Sequence, residues 1–261
     1  MHDPVAEAAT LVAAARRIVV LTGAGISTDS GIADYRGPNG LWTKNPKAER
    51  ISDISFYMND PEVRKLSWQH RLHSPVWDAS PNDGHRALVD LEATGRLDTL
   101  ITQNIDGLHH LAGNDPEKIV EIHGNVRTVV CMSCAERAPM RRALERVRNG
   151  EDDPACRTCG GILKSATISF GQQLVPDDLI RAEQAAQRAD LLLAIGSTLG
   201  VYPAAGVIPI ALERGAQLVI VNADPTPFDE YASEVIRGSI SEVLPRIVHG
   251  GRPRPSDAAP A

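Results

Sequence analysis

Four things are missing or scarce in this sequence, and each absence removes a class of answer. No apolar run in its 261 residues approaches the roughly 18 needed to cross a bilayer, which argues against a membrane-spanning chain. The N-terminus, "MHDPVAEAATLVAAARRIVVL", has Asp3 and Glu7 where a secretory leader carries Lys or Arg, so a cytoplasmic protein is expected. Positive charge is not in excess: 27 Lys and Arg stand against 33 Asp and Glu, which argues against a nucleic-acid surface. The one basic stretch, "MRRALERVRNG" with Arg141, Arg142, Arg146 and Arg148, reads as a solvated helix face. Cysteine is limited to four residues, which in a reducing compartment are free thiols or metal ligands rather than disulfides.

What is present is ordinary in bulk: 43% hydrophobic and 23% charged residues suit a globular protein, and the length suits a large α/β domain carrying a small insert. Residues 5–17 have helical spacing, "RIVVLTG" reads as a buried strand, "HRALVDLEATGR" as a helix ended by Gly95, and "LDTLITQN" and "KIVEIHG" as strands. The second half alternates: "ATISFG" strand, "PDDLIRAEQAAQRA" helix, "DLLLAIGST" strand, "AAGVIPIALERG" helix, "QLVIVNADP" strand, "ISEVLPRIV" helix. Short apolar strands alternating with amphipathic helices imply a parallel sheet covered on both faces. Residues 1–125 and 165–250 are therefore expected to form a Rossmann-type domain. A proline-punctuated helical insert at 38–84 and a cysteine-bearing small domain at 126–164 interrupt it, and 251–261 is a disordered tail.

The strand ends carry the chemistry. In "IVVLTGAGISTDSGIADYRG", Gly23, Gly25 and Ser27 follow a strand as in a phosphate-receiving turn, yet Thr28 stands where the dinucleotide pattern G-x-G-x-x-G has its third glycine. A second glycine turn, Gly196-Ser197-Thr198, also follows a strand, and Asn222 comes 26 positions later, near the separation of a ribose-binding side chain. One arrangement has the first turn cradle a pyrophosphate while the second holds an adenosine; either turn alone is equally an ordinary strand–helix connection. Asp34 and Arg36 lie in "GIADYRG", Gln103, Asn104 and Asp106 follow "LDTLIT", and His123 follows "KIVEI". If their strands are parallel neighbours, these side chains meet at one sheet edge, where a histidine is a plausible general base. Taken singly, His123 is a strand-end histidine satisfied by backbone and Asn104 a helix cap.

Cys131 and Cys134 form one C-x₂-C, Cys156 and Cys159 another, with 21 residues between the pairs. That pattern forms a tetrahedral Cys₄ zinc site, and with every position taken by sulfur the zinc is structural. A redox dithiol pair is the alternative reading.

Together "GAGIS", "GIADYRG", "TQNIDGLH", the His123–Gly124 pair, the two C-x₂-C knuckles, "GSTLGVYPAA" and "VIVNADPTP" resemble the sirtuins, NAD-dependent protein lysine deacylases, in that family's order over about residues 10–248. The resemblance implies a Rossmann-type NAD domain, a zinc-ribbon domain, and a tunnel for acylated-lysine peptides or proteins between them. It gives His123 the role of catalytic base, with Asn104 and Asp106 beside it. NAD would contact Gly23, Ala24, Gly25, Ile26, Ser27, Ile32, Asp34, Tyr35 and Arg36, then Gln103, Asn104, Ile105 and Asp106. Its adenosine would meet Gly196, Ser197, Thr198, Asn222, Ala223, Asp224 and Ile240. Ile168, Phe170 and Gly171 would border the acyl-lysine channel. The implied products are free lysine, nicotinamide and O-acyl-ADP-ribose, from a chain that acts as a monomer. Three departures stand out. Tyr35 replaces the more usual Phe, Gln172 takes a Glu position, and Trp68 and Arg71 stand where desuccinylating members have Tyr-x-x-Arg. Deacetylation is the expected activity; mono-ADP-ribosyl transfer to protein, another acyl specificity such as desuccinylation, or an NAD-sensing binding module are the alternatives.

Overall fold

In a computed structural model, the described residues are 2–34 and 50–250. The expectations placed on Tyr35, Arg36, residues 38–49 of the insert and the tail at 251–261 lie outside them.

Strand β1 (Ile18–Thr22) is the centre of the main sheet and is buried along its whole length. It pairs in parallel with β2 (Leu97–Thr102) on one side and β7 (Leu191–Ile195) on the other. With β3 (Ile119–Glu121), β8 (Gln217–Val221) and β9 (Glu234–Ile236), the order is β3-β2-β1-β7-β8-β9. The chain builds outward from β1, returns, and builds outward on the other side, so a topological switch point falls between β1 and β7. Alternation along β1 divides the core. Ile18 and Val20 join α1 (Pro4–Ala14), α4 (Asp83–Ala93) and α9 (Ile240–His249) on one face, while Val19 and Leu21 meet α7 (Pro176–Arg188) and α8 (Val207–Glu213) on the other. Alanines at 182, 185, 186 and 211 let the second pair of helices lie close to the sheet.

The insert, over its described part, is helical: α2 (Ile54–Asn59) and α3 (Pro61–Leu72), each N-capped by an aspartate, Asp53 and Asp60. They meet the small domain through Tyr57 of α2, whose hydroxyl donates to the Leu163 carbonyl at 2.7 Å, and through Trp68 of α3, which joins Val129, Met140, Leu144 and Val147 in a separate core. The small domain itself is a three-stranded antiparallel sheet, β5-β4-β6, of β4 (Gly124–Cys131), β5 (Arg137–Pro139) and β6 (Leu163–Thr167), with α6 (Met140–Arg148) packed on it. Arg141, Arg142 and Arg148 of α6 are exposed, and Arg146 pairs with Glu151.

Two expectations change here. The strand read at "ATISFG" is β6, shifted toward the N-terminus, and it pairs antiparallel with β4 instead of joining the parallel sheet. Domain limits drawn at 125/126 and 164/165 consequently fall inside β4 and β6. An apolar run specifies a strand and leaves its partner open. Strand β9 went unread because three residues are too few to show a period.

The four cysteines close the far end of this sheet. Cys131 Sγ lies 3.5 Å from Cys159 Sγ, Cys134 Sγ lies 3.8 Å from Cys156 Sγ, and all four sulfurs fall within 4.8 Å of one another. Sulfurs at about 2.3 Å from a tetrahedral zinc stand about 3.8 Å apart, so the donor set fits that ion. The knuckles share one turn: Ala135 N–H donates to the Cys131 carbonyl and Gly160 N–H to the Cys156 carbonyl, each at 2.9 Å. Both residues following the second cysteine, Ala135 and Gly160, have positive φ, 60° and 72°. A redox dithiol pair gives no reason for this four-way convergence.

Cys131→Ser is expected to lower bound zinc from one per chain to none, by atomic absorption, and to reduce Tm by at least about 6 °C, since a structural zinc contributes several kcal/mol at about 3 °C each. Full zinc content in the variant would refute the site.

Candidate active site

The carboxyl ends of β1, β2, β3, β7 and β8 open onto one edge, carrying Gly23, Gln103, His123, Gly196 and Asn222 respectively just beyond them. The two glycine turns touch. Gly23 N–H donates to the Ile195 carbonyl at 2.9 Å and Gly25 N–H to the Gly196 carbonyl at 2.8 Å. A Cβ on Gly25 would stand 2.7 Å from Gly196 Cα, and one on Gly23 would stand 2.7 Å from the Gly196 oxygen, so neither turn tolerates a side chain there. They form one continuous floor.

Residues Ala24–Ser30 then wind as a 3₁₀ segment that buries Ile26 and Ser27 and ends at Gly31, φ 83°. The third glycine of a dinucleotide turn serves close packing of an α-helix on its strand. Here no α-helix follows, and Thr28 is exposed with its hydroxyl on the Gly25 carbonyl at 2.9 Å, so the position has no need of glycine. Ala24, Ile32 and Asp34 are half-buried along the same loop.

Asn104 and Asp106 are almost fully buried and share Ser27. Asn104 Nδ2 donates to the Gly23 carbonyl at 3.0 Å and to Ser27 Oγ at 3.2 Å; Ser27 Oγ donates to Asp106 Oδ2 at 2.8 Å. Asp106 Oδ1 accepts the Leu108 N–H at 2.8 Å, and Arg127 Nε donates to the Asp106 carbonyl at 2.8 Å. Burial raises the Asp106 carboxyl above its ordinary value, with the Leu108 and Ser27 donors opposing it. The helix-cap reading of Asn104 does not hold: α5 (Leu108–Ala112) begins after Gly107, whose φ is 72°. Ile105 is half-buried, and its carbonyl accepts Val126 N–H at 2.9 Å.

Gln103 and His123 complete the edge. Ser197 Oγ donates to Gln103 Oε1 at 2.8 Å, while Gln103 Nε2 is buried without a partner among the described residues. His123 Nδ1 lies 2.9 Å from the Gln103 carbonyl. A carbonyl only accepts, so Nδ1 carries the hydrogen and Nε2 the lone pair. Burial holds His123 below the usual histidine range, and the Gln103 carbonyl pulls the other way. The His123 carbonyl accepts Ile168 N–H at 2.8 Å, which joins the histidine to the segment carrying Ile168, Phe170 and Gly171; Phe170 is 41% exposed.

Farther along the edge, Asn222 is buried and its Nδ2 donates to the Asp224 carbonyl at 2.8 Å; Ala223, Asp224 and Thr198 are exposed. Ile240 faces inward: it packs in the core, with its Cγ2 3.2 Å from where Gly84 would carry a Cβ. Several residues that organise the site escaped sequence reading, among them Arg127, Thr102 and Asn82. Asn82 alone left a signal. It stands three residues before His85 at the start of an apolar-periodic segment, the spacing of a capping box.

The Sir2 family profile matches residues 23–203, from the first glycine turn past the second. The NAD-dependent protein deacetylase 2 of Streptomyces coelicolor is 49% identical over 233 residues, covering 89% of this chain and 97% of the relative. The NAD-dependent protein deacetylase 1 of Pyrobaculum aerophilum is 41% identical over 94% of each chain. A Sir2 structure with a p53 peptide and NAD superposes at TM-score 0.84 with 36% identity, covering 94% of this chain and 97% of its own. Both glycine turns, the His123 edge and the cysteine knuckles fall within the matched span, and the chain belongs to the Sir2 (sirtuin) family.

Proposed function

We propose that this chain is an NAD-dependent protein lysine deacylase that acts on acetylated-lysine peptides or proteins, consumes NAD, and works as a cytoplasmic monomer. The observation that carries the reading is His123, neutral, with its tautomer fixed by the Gln103 carbonyl and with Nε2 unpartnered among the described residues, at the edge that also carries Asn104 and Asp106. The names of the curated relatives and the acetylated-peptide and NAD complexes of Sir2 structures support it. No described helix is long and apolar enough to cross a membrane.

The residues present fit NAD. Gln103 Nε2 is a buried donor lacking an acceptor among the described residues, and the glycine turns bring backbone close to an incoming phosphate or ribose. NAD supplies the activated glycosidic bond. Gly23–Ser27, Ile32, Asp34, Tyr35 and Arg36 are assigned to its pyrophosphate and nicotinamide end, and Gly196–Thr198 with Asn222–Asp224 to the adenosine. Asn104 and Asp106, locked through Ser27, are assigned to the nicotinamide ribose. His123 Nε2 takes a proton from a ribose hydroxyl, and the imidazolium formed keeps its Nδ1–H on the Gln103 carbonyl, which favours the cation. Ile168, Phe170 and Gly171 border the acyl-lysine.

One observation favours a second reading of the acyl group. Arg71 donates to the Ser67 carbonyl and hydroxyl and, at 2.8 Å, to Ser165 Oγ on β6, yet no described carboxylate pairs with it. Beside it Lys164 is buried, its amine pushed down to about 7 by burial and by Arg71. A guanidinium with no described carboxylate partner, bonded to Ser165 three residues before Ile168, suits an acidic acyl group such as succinyl.

Incubation with NAD and acetyl- or succinyl-lysine peptides, followed by mass spectrometry, tests both readings; no NAD-dependent change in any peptide would overturn the assignment, and ADP-ribose on protein would favour the transferase. His123→Ala is expected to lower kcat at least about 100-fold while NAD affinity by calorimetry stays within about threefold. The base must be neutral to act, so kcat/KM is expected to rise with pH and level off above an apparent pKa below about 6.5. In Arg71→Met, the succinyl-to-acetyl ratio of kcat/KM is expected to fall at least about tenfold, and an unchanged ratio removes the second reading.

A further inference from the structure

The loop that presents Asn104 and Asp106 is held by two sets of contacts. One comes from the first glycine turn, through Gly23 and Ser27. The other comes from β4, the strand that leaves His123. Val126 N–H donates to the Ile105 carbonyl at 2.9 Å, and Arg127 Nε donates to the Asp106 carbonyl at 2.8 Å. The Arg127 side chain lies against Gly107 as it does so: a Cβ on Gly107 would stand 2.9 Å from Arg127 Nε and 3.0 Å from its Cδ. The backbone of Arg127 is fixed as well. Its N–H donates to Asn125 Oδ1 at 2.7 Å, and Asn125 Nδ2 donates to Glu121 Oε1 at 2.5 Å.

Arg127 also reaches a second segment. Its Nη2 donates to the Val76 carbonyl at 3.3 Å, and its Cζ lies 5.8 Å from the centre of the Trp77 ring. Val76 and Trp77 belong to a 3₁₀ turn, Pro75–Trp77, that follows α3 in the helical insert. Trp77 Nε1 in turn donates to the Arg71 carbonyl in the last turn of α3, at 2.6 Å. Among the described residues the acceptors of the Arg127 side chain are thus two main-chain carbonyls, one in each segment, and neither is a carboxylate. Nε and Nη2 belong to one rigid planar fork, so the side chain sets how far apart those two carbonyls stand.

We propose that Arg127 is a positioning residue that ties the loop presenting Asp106 to the Pro75–Trp77 turn, so that binding at the loop and the setting of the insert are coupled. The inference rests on the proposed function at one point, the assignment of Asn104 and Asp106 to the nicotinamide ribose. The tie itself is a matter of two hydrogen bonds and is read without turnover. A merely structural arginine would change stability and leave the response of the turn to NAD alone. An arginine that served only as a positive charge beside Asp106 would be replaced in full by lysine, which keeps the charge and lacks the fork.

The test is amide hydrogen exchange by NMR, with and without saturating NAD. The probes are the bonded amides of Asn104 and Leu108 in the loop and of Trp77 and Asp78 in the turn. In the unmodified protein NAD is expected to slow exchange at both places. Arg127→Met keeps an apolar stem against Gly107 and removes both donors. Its exchange without NAD is expected to quicken at least about fivefold in loop and turn, and NAD is expected to protect the loop alone. Its NAD Kd by calorimetry is expected to rise at least about fivefold, the scale of a lost charged hydrogen bond. Arg127→Lys, which can reach one carbonyl only, is expected to fold and to remain at least about threefold weaker for NAD. No NAD effect at Trp77 and Asp78 in the unmodified protein, the same effect there in Arg127→Met, or full recovery of Kd and exchange in Arg127→Lys would each overturn the tie. If the unmodified protein deacylates no peptide, yet NAD protects the turn only while Arg127 is present, the proposed function fails and the tie stands.

Discussion

Everything at the open edge depends on how closely β1 and β7 approach at their carboxyl ends. Two turns leave adjacent strands there, and each takes up the space a Cβ on the other would occupy. Gly25 N–H on the Gly196 carbonyl at 2.8 Å is possible only because all three of Gly23, Gly25 and Gly196 lack side chains. A switch point in an open parallel sheet makes a crevice by topology alone. Here the glycines close its base and leave Ser27 and Ser197 as hydroxyl-bearing walls, so the crevice is set by backbone geometry and does not vary with rotamers.

From that floor the polar groups are arranged with almost no freedom. Ser27 stands between an amide and a carboxylate, giving its hydrogen to Asp106 and accepting from Asn104. Asp106 is further pinned by the Leu108 amide, and its burial shifts the carboxyl upward. His123 is buried enough to favour the neutral ring, and one carbonyl chooses which nitrogen stays free. A group that develops positive charge nearby meets oriented dipoles and a carboxylate, with no mobile water required to reorganise.

The sequence made part of this legible and the reasons differ by residue. Cys131, Cys134, Cys156 and Cys159 were readable because chelation fixes ligand spacing along the chain. Gly23, Gln103, His123 and Gly196 were readable because strand ends recur at predictable places in an alternating α/β pattern. Thr28 looked anomalous only against a turn followed by an α-helix; the 3₁₀ continuation, which removes the requirement for glycine, leaves no periodic signature over seven residues. Sheet membership of β6 was invisible, since Leu-Lys-Ser-Ala-Thr carries no pattern that names its partner strand. The inward packing of Ile240 likewise depends on α4 and α9 meeting, a contact far apart in sequence. Arg127, Thr102 and Asn82 act through hydrogen bonds to the Asp106 carbonyl, the Thr22 hydroxyl and the Ile26 carbonyl, and no local pattern announces partners that far away in sequence.

Strand β4 starts at Gly124, immediately after His123, and finishes on Cys131, a member of the sulfur cluster. Eight residues of strand extend about 25 Å. The strand therefore works as a strut with His123 at one end and the knuckles at the other. At the His123 end Gly124, with φ 73°, leaves no room for a Cβ against the Ala166 carbonyl, so the strut is seated hard on β6. An ion bound at the far end takes no part in proton transfer, yet it anchors the beam on which the histidine is mounted. Its contribution to the chemistry is mechanical, transmitted as stiffness over a distance at which its charge is largely screened.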